Sequence, residues 1–402
     1  MDTYTSTSSG QAAALATATS STSTTTWLAG ATAVILGSLA ALVVNTLPVF
    51  LAVLARVRGL SESDSGLVAF AEMGGIAVGT IVCALRPGWV ERAGWRWTAL
   101  LGLLIMLGGN LCSMQAGDLN SLLLSRGLAG VGSGAVLAVT YAVLAEAGGA
   151  RALAIFNFVQ LSCGWLGIPF LSPMAEAHGA ERLFAIVAGL VVVGMALSFF
   201  LPGRRPVVPG HQTSVPHDKV SAPGWLAILS ALVYFAGVGA IYAYVAFMGV
   251  AWGGTQQVVE AQVANMMFAG LSGGLLVALV GSRFGFRLPL YLGYALLLMA
   301  MAWLAFGKPV SGFLIAVCLF GFAWNIITPY QFEAVTHVDS SSSAAMLVNA
   351  STLGGLAIGP AVAAYLVTED FFQVNVLSLV GTFVSLIVMA LALRLSVARR
   401  AA

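Results

Sequence analysis

The sequence predicts an all-α integral membrane protein with about twelve transmembrane helices in two pseudo-symmetric six-helix bundles. Three observations predict this fold: an apolar composition, long apolar runs and an internal repeat. Of the 402 residues, 59% are hydrophobic and only 8% are charged, whereas soluble domains have about 25% charged residues. Because lipid cannot hydrogen-bond the backbone, membrane spans must be helices or closed barrel strands.

The apolar runs have the length of transmembrane helices. Many reach the roughly 20 residues that a helix needs to cross a bilayer, and none alternates apolar and polar residues as barrel strands do. Runs bounded by charged residues, prolines or glycines define the predicted spans. These spans are 27–54, 65–85, 97–116, 119–145, 152–173, 182–201, 224–251, 258–280, 288–306, 309–332, 343–367 and 371–394.

A polar segment at residues 202–223 divides the spans into six and six. It is rich in proline and is expected to be an exposed cytoplasmic linker. The N-terminal bundle is therefore expected at 27–201 and the C-terminal bundle at 224–396. Residues 1–26 are rich in Ser, Thr and Ala and lack Lys and Arg, which predicts a disordered tail rather than a signal peptide. Residues 397–402 form a short C-terminal tail.

Two short markers recur in both halves of the chain. The segment 92–96, Arg-Ala-Gly-Trp-Arg, returns as Arg-Phe-Gly-Phe-Arg at 283–287. Asn157 and Asn349 lie at matching places in spans five and eleven, and each is followed by a glycine at the same distance. Both offsets are about 190 residues, so the two halves are expected to be structural copies.

Basic residues predict the orientation, because loops on the cytoplasmic side carry an excess of Lys and Arg. With both termini in the cytoplasm, only Arg56, Arg58, Arg182 and Lys308 fall outside. The expected location is the inner (cytoplasmic) membrane of a cell. The cytoplasmic basic residues are then Arg86, Arg92, Arg96, Arg151, Arg204, Arg205, Lys219, Arg283, Arg287, Arg394, Arg399 and Arg400.

Over residues 27–396 the chain resembles the major facilitator superfamily. The loop 91–96, Glu-Arg-Ala-Gly-Trp-Arg, resembles the family's acidic-Arg-x-Gly-x-basic signature between helices two and three, although Pro87 takes the place of the usual leading glycine. Arg126 and the glycines that follow it in span four resemble another family pattern. Gly-Pro motifs like the one at 359–360 are common in family exporters, usually in span five rather than span eleven.

The resemblance implies two six-helix bundles around a central cavity and a small-molecule substrate bound near the membrane midplane. It also implies alternating access by rocking of the bundles. The loop residues Glu91, Arg92 and Arg96 would then form a gating latch that stabilises the outward-facing state. In the alternative interpretation, they are ordinary charged residues of a cytoplasmic loop and have no gating role.

Glu72 and Arg126 are the sharpest functional candidates. Each lies inside a span that enters from the outside, roughly 10 Å below its outer end, where a lone charge costs about 2.5–3.5 kcal/mol. An ion pair would offset much of that cost. In the functional interpretation Glu72 binds a proton when Arg126 is drawn away, because burial favours the neutral carboxyl. In the alternative, the pair only holds spans two and four together.

Polar and aromatic residues inside the spans are candidates for contacting substrate. Polar groups in hydrocarbon should face the protein interior, where hydrogen bonding between helices, worth about 0.6 kcal/mol per contact, is the alternative role. Aromatic rings can stack on a substrate or pack in the core. The predicted substrate contacts are Asn45, Arg126, Asn157, Gln160, Tyr234, Tyr242, Asn325, Gln331 and Asn349.

These features predict a secondary active transporter that moves a small organic solute, either an organic anion or an amphipathic aromatic compound, coupled to protons. A passive facilitator and a proton-antiport exporter of hydrophobic compounds are the alternatives. An enzyme is disfavoured, because the four histidines fall in or beside loops and no catalytic motif such as HExxH or GxSxG occurs.

Beyond the substrate, protons and the lipid bilayer, no partner is expected, and the chain is expected to be a monomer. The four cysteines lie singly in apolar runs, which favours packing over disulfides or metal binding. We expect no cofactor and no metal. The basic residues form no stripe, so nucleic acid is not an expected partner.

Overall fold

The computed structural model describes five stretches of the chain, residues 27–203, 219–281, 283–307, 310–367 and 371–401. Within them the chain is helical without strands, and twelve helices are long and apolar enough to cross a membrane. The predicted all-α membrane fold is therefore confirmed. The predicted N-terminal tail lies outside the described residues, as does the linker between 204 and 218.

The transmembrane helices extend past several predicted span ends, because a helix continues through charged residues and prolines at the membrane surface. They are α1 (Trp27–Arg58), α2 (Glu62–Leu85), α3 (Trp95–Gln115), α4 (Leu119–Ala147), α5 (Gly149–His178), α6 (Ala180–Leu197), α7 (Ala222–Ala251), α8 (Gln256–Val280), α9 (Arg287–Phe306), α10 (Val310–Val338), α11 (Ser342–Ala364) and α12 (Phe372–Ala401). A short helix, Pro87–Ala93, lies between α2 and α3.

The helices pack as two groups, α1–α6 and α7–α12, with α4 against α2 and α3 in the first and α7 against α11 and α12 in the second. The groups meet mainly through α2 with α11, α5 with α8 and α1 with α7. We call the membrane side at which α1 begins and α12 ends the terminal side. The opposite side, where α1 ends and α2 begins, is the far side.

A tight far-side turn sets the height of α2. Gly59 ends α1 with a φ of 67°, a left-handed conformation that glycine adopts without strain. The Ser61 hydroxyl then accepts a hydrogen bond from the Asp64 backbone N–H at 3.0 Å, and the Asp64 carboxylate accepts one from the Ser61 N–H at 3.1 Å. This capping box begins α2 and so determines the depth at which Glu72 lies.

Glycines let α2 and α4 approach closely. A Cβ atom built on Gly75 would lie 3.0 Å from the Cα of Gly130, and one built on Gly134 would lie 2.9 Å from the Thr80 backbone nitrogen. Only glycine fits at such contacts between helices. This seam brings the backbones together one turn away from Glu72 and Arg126.

Candidate functional site

A cavity of about 260 Å³ lies between the two helix groups. Residues of α1, α2, α4 and α5 form one wall and residues of α7, α8, α10 and α11 form the other, and none of the described lining residues is charged. The hydrogen-bonding side chains in this lining are Asn45, Tyr141, Asn157, Gln160, Tyr242, Trp324, Asn325, Thr328 and Thr352. Most of the remaining surface comes from methionine, leucine and other apolar side chains.

Three amides on the first wall are tied to one another. Asn45 Nδ2 donates to the backbone oxygen of Gln160 at 3.0 Å, and Gln160 Nε2 donates to Asn157 Oδ1 at 3.0 Å. These bonds hold the side chains in place and use only part of their capacity. Gln160 Oε1 and Asn157 Nδ2 remain as an acceptor and a donor beside the cavity.

The second wall is aromatic. The Tyr242 and Trp324 rings meet edge to face with centroids 5.2 Å apart, and the Tyr242 hydroxyl donates to the Val44 backbone oxygen on the other wall at 2.7 Å. Asn325 Nδ2 donates to the Gly321 backbone oxygen at 3.0 Å, so its Oδ1 is left as an acceptor. Such a wall can stack on a planar ring and hydrogen-bond its edge.

Glu72 and Arg126 meet inside the first helix group, next to the cavity but outside its lining. Both side chains are buried, and they form the ion pair that the sequence predicts. Arg126 Nε donates to Glu72 Oε2 at 2.7 Å, and Arg126 Nη1 donates to Asn110 Oδ1 at 3.1 Å. The guanidinium carbon also lies 5.8 Å and 5.4 Å from the ring centres of Phe50 and Phe184, so four helices besides α4 enclose the charge.

The structure separates the predicted substrate contacts into two sets. Asn45, Asn157, Gln160, Tyr242 and Asn325 line the cavity. The other four lie outside the described lining: Arg126 in its ion pair, Tyr234 packed against the Phe235 and Tyr294 rings, Gln331 hydrogen-bonded to the Tyr294 hydroxyl, and Asn349 exposed on α11.

The gating-loop candidates lie on the terminal side. Arg96 Nε donates to the Leu201 backbone oxygen at 3.0 Å, which ties the start of α3 to the chain just after α6. Arg92 belongs to the short helix Pro87–Ala93. The Glu91 side chain lies outside the described part of the chain.

Asp339 ties the second helix group together on the same side. Its carboxylate accepts hydrogen bonds from the Ser221 N–H and hydroxyl, both at 2.7 Å, and from the Ser341 N–H at 3.0 Å. Burial acts to raise the pKa of Asp339, but the hydrogen bonds from Ser221 and Ser341 outweigh it and hold that pKa well below its ordinary value. The ionised carboxylate thus joins the start of α7 to the loop between α10 and α11.

Several residues that line the cavity are not among the predicted substrate contacts. Trp324, Thr328 and Thr352 each stand near a predicted amide, and Trp324 and Thr328 share a helical face, being four residues apart. That spacing was a usable signal. Tyr141 carries no such signal, because the residues three and four positions away from it are all apolar. Met266 has Gln262 one turn earlier on its helical face, a signal that was not used.

Contacts between the helix groups close the cavity on the far side. The Ser63 hydroxyl at the start of α2 donates to the Ala364 backbone oxygen at the end of α11 at 2.8 Å, and Ser172 of α5 is hydrogen-bonded to Glu260 of α8. The lining instead extends toward the terminal side, where Tyr141 is 48% exposed. The described structure is therefore closed toward the far side.

Comparisons with known proteins agree with this arrangement. The family model described as Major Facilitator Superfamily matches residues 33–351. The solved structures similar to this chain include the nucleoside transporter NupG, with a TM-score of 0.70 and 12% identity over 92% of this chain and 98% of that one. A mutant of NupG matches with a TM-score of 0.70 and 11% identity over 90% and 98%. No curated protein sequence matches.

Proposed function

Because the chain belongs to the Major Facilitator Superfamily, a family of transporters rather than enzymes, we propose that it is a secondary transporter for a small uncharged compound with an aromatic ring. The observation that carries this proposal is the lining of the cavity, in which amide groups face an aromatic wall and no described residue is charged. Pockets of this kind bind by apolar contact and orient the ligand with a few polar groups.

The geometry favours a neutral substrate over an organic anion. Arg126 is the cation that the sequence offers for binding an anion, yet its guanidinium is bound to Glu72 and Asn110 and lies outside the lining. An anion in the cavity would be desolvated without a partner charge. NupG is a nucleoside transporter, and nucleosides are uncharged compounds with a planar base. Nucleosides therefore belong in a ligand screen, although the likeness itself concerns only the fold.

We further propose that Glu72 binds the coupling proton. Support comes from its burial and from a single cation partner on another helix, Arg126. A movement of α2 against α4 that weakens this pair would leave a buried carboxylate, which takes up a proton more readily than it stays charged. A passive facilitator, the alternative function, would not need this residue to titrate.

We also propose that the termini lie in the cytoplasm and that the protein resides in the inner membrane. The support is the excess of basic residues in the loops of the terminal side. The far side then faces outward, and the contacts between the helix groups close the cavity toward the outside. A membrane-impermeant thiol reagent added outside cells should in that case react with cysteines placed at the far side.

The first test is a ligand screen by thermal shift on the purified protein at two pH values. These are about pH 5.5 and about pH 7.5, because carboxyl groups with a strongly raised pKa titrate between them. A compound that binds the folded state raises Tm. We expect hits among uncharged aromatic compounds, with a shift that depends on pH in the wild type and no longer depends on pH in Glu72→Gln.

Matched variants test whether the ligand-induced rise in Tm comes from binding in the cavity. Asn325→Ala should reduce the ligand-induced shift, whereas Asn120→Ala, at an exposed asparagine at the start of α4, should leave it unchanged. Hits confined to anions would contradict the proposed substrate class. A pH dependence that persists in Glu72→Gln would assign coupling to another group, and a hit with no pH dependence would indicate a facilitator.

A further inference from the structure

The far-side contact between α5 and α8 contains a buried carboxylate that the proposed function does not use. Glu260 is 6% exposed and Ser172 is 5% exposed, and the Ser172 hydroxyl donates directly to Glu260 Oε1 across the interface between the two helix groups. On its own helix, Glu260 Oε1 also accepts a hydrogen bond from Gln256 Nε2 at 2.7 Å. Sequence reasoning missed this residue, because it lies only about one turn inside α8.

A positive charge stabilises this contact through the serine. Arg56 Nη2, at the end of α1, donates to Ser172 Oγ at 3.1 Å and also pairs with Glu176 Oε1 at 3.1 Å. The Ser172 hydroxyl therefore accepts from a guanidinium and donates to a carboxylate, an arrangement in which each hydrogen bond strengthens the next.

The surroundings contain few other charges. Arg56 of α1 and Glu176 of α5 are the charged side chains that face this contact from the packed helices in the described residues. The neighbouring stretches of α7 (240–251) and α10 (310–320) contain no Asp, Glu, Lys, Arg or His, and their titratable side chains are Tyr242, Tyr244 and Cys318. The strength of the contact is thus governed by the charge of Glu260 itself.

We propose that Glu260 is a proton-sensitive latch residue: its ionised carboxylate, bound to Ser172, holds α5 and α8 together, and its protonation releases the far side. This inference rests on the proposed transport function and on the alternating access that it would use. A hydrogen bond to an ionised acceptor is roughly twice as strong as one between neutral groups, and the guanidinium adds attraction only to the charged form. When the helices separate, water hydrates the carboxyl and Ser172 is no longer its partner.

The latch differs from the Glu72 site in place and in consequence. Glu72 pairs with Arg126 inside one helix group, so its protonation acts within that group. Glu260 bridges the two groups, so its protonation acts on their separation. Acid on the far side should therefore favour the state that is open to that side.

The test measures far-side separation directly and needs no substrate. Spin labels are attached to Ala177→Cys and Gln257→Cys, two exposed positions at the far ends of α5 and α8, after Cys83, Cys112, Cys163 and Cys318 have been replaced. Double electron–electron resonance then gives the distance distribution in nanodiscs at about pH 8 and about pH 3.3, which lie on either side of the ordinary pKa of a glutamate side chain, about 4.3.

We expect the ratio of long to short distances to rise roughly three- to tenfold in acid, as a charge-assisted hydrogen bond becomes a neutral one. Glu260→Gln should show the raised ratio at both pH values. Ser172→Ala, a smaller change that keeps the carboxylate, should raise the ratio at about pH 8 and reduce the response to acid. Glu176→Gln, which removes the exposed neighbouring carboxylate, is the matched control and should keep the response.

Two results would overturn the latch: a wild-type distance distribution that does not change with pH, or an unchanged acid response in Glu260→Gln. Neither depends on finding a substrate, so they are distinct from a failure of the proposed transport function. That function would fail if no compound bound the cavity, even with a working latch.

Discussion

At the scale of single residues, the Glu72–Arg126 pair shows how a charge is stabilised inside an apolar bundle. The guanidinium is enclosed by a carboxylate, an amide and two aromatic rings from four neighbouring helices. Each of these groups offsets part of the desolvation of the charge. In the second half, Val263 at the position equivalent to Glu72 and Phe320 near the position equivalent to Arg126 are buried and apolar, so the fold itself does not require such a pair at this place.

Removing one member of the pair should therefore be more harmful than removing both. We expect Arg126→Ala to destabilise the protein by about 3–5 kcal/mol, because it leaves the Glu72 carboxylate buried without a cation. Glu72→Gln together with Arg126→Ala should recover part of that loss, since no charge is then stranded. Thermal unfolding of the wild type and of these two purified variants measures this order.

The expected order also separates structure from function. A double variant that recovers stability but does not transport would assign both roles to the pair. Normal transport by the double variant would leave the pair with a structural role only. Equal stability of the single and double variants would contradict the electrostatic argument itself.

The residue scale is also where sequence reasoning reached its limit. The pairing of Glu72 with Arg126 was predictable from depth alone, because two charges at one depth in neighbouring spans stabilise each other. The rotation of a helix about its own axis was not predictable. Tyr234 and Tyr242 both lie on α7, which is buried on nearly every face, yet only Tyr242 reaches the cavity. An all-apolar helix carries no amphipathic pattern that would indicate which face points inward.

At the scale of helices, the packing of α2 on α4 depends on which glycine faces the partner backbone. Gly130 faces the backbone of Glu72 so closely that a Cβ atom has no room, whereas a Cβ atom at Gly127, one turn earlier, would lie 3.7 Å from its nearest neighbour, the Ala71 oxygen. The two positions are on the same helix and differ mainly in this distance.

We expect Gly130→Ala to push α4 away from α2, at a cost of about 1–3 kcal/mol from overpacking, and to weaken the Glu72–Arg126 pair. Gly127→Ala is the matched control. It should be neutral or slightly stabilising, since alanine favours a helix over glycine. Thermal unfolding of both variants tests this, and equal destabilisation by the two would show that the seam does not control the packing.

Helix positions along the chain were largely predictable, because the hydrophobic thickness of a bilayer imposes a minimum apolar length on every span. The ends of the helices were less predictable. α5 was expected to stop near residue 173 and continues to His178, since a proline inside a transmembrane helix is tolerated where neighbouring groups satisfy the freed backbone. The contacts of α5 with α8, including the Glu260 carboxylate, were not predictable, because they depend on how the two helix groups dock.

At the scale of the whole molecule, the far-side contacts between the two helix groups determine which side of the membrane the cavity can reach. α2 and α11 meet at their far ends through the hydrogen bond from Ser63 to Ala364, and a Cβ atom on Gly66 would lie 2.9 Å from the Pro360 oxygen. If transport proceeds by alternating access, these ends must separate in each cycle.

Joining these ends covalently should therefore stop transport without preventing binding from the terminal side. We expect Ser63→Cys with Ala364→Cys, in a background without the four native cysteines, to lose transport after treatment with a short impermeant thiol cross-linker and to regain it on cleavage of the link. The ligand-induced rise in Tm should persist in the cross-linked protein, because the lining of the cavity extends away from the cross-linked ends, toward the terminal side. Ser63→Cys alone controls for the reagent.

Full transport by the cross-linked protein would contradict alternating access. Reaction of the two cysteines with the cross-linker only from the cytoplasmic side would reverse the proposed orientation.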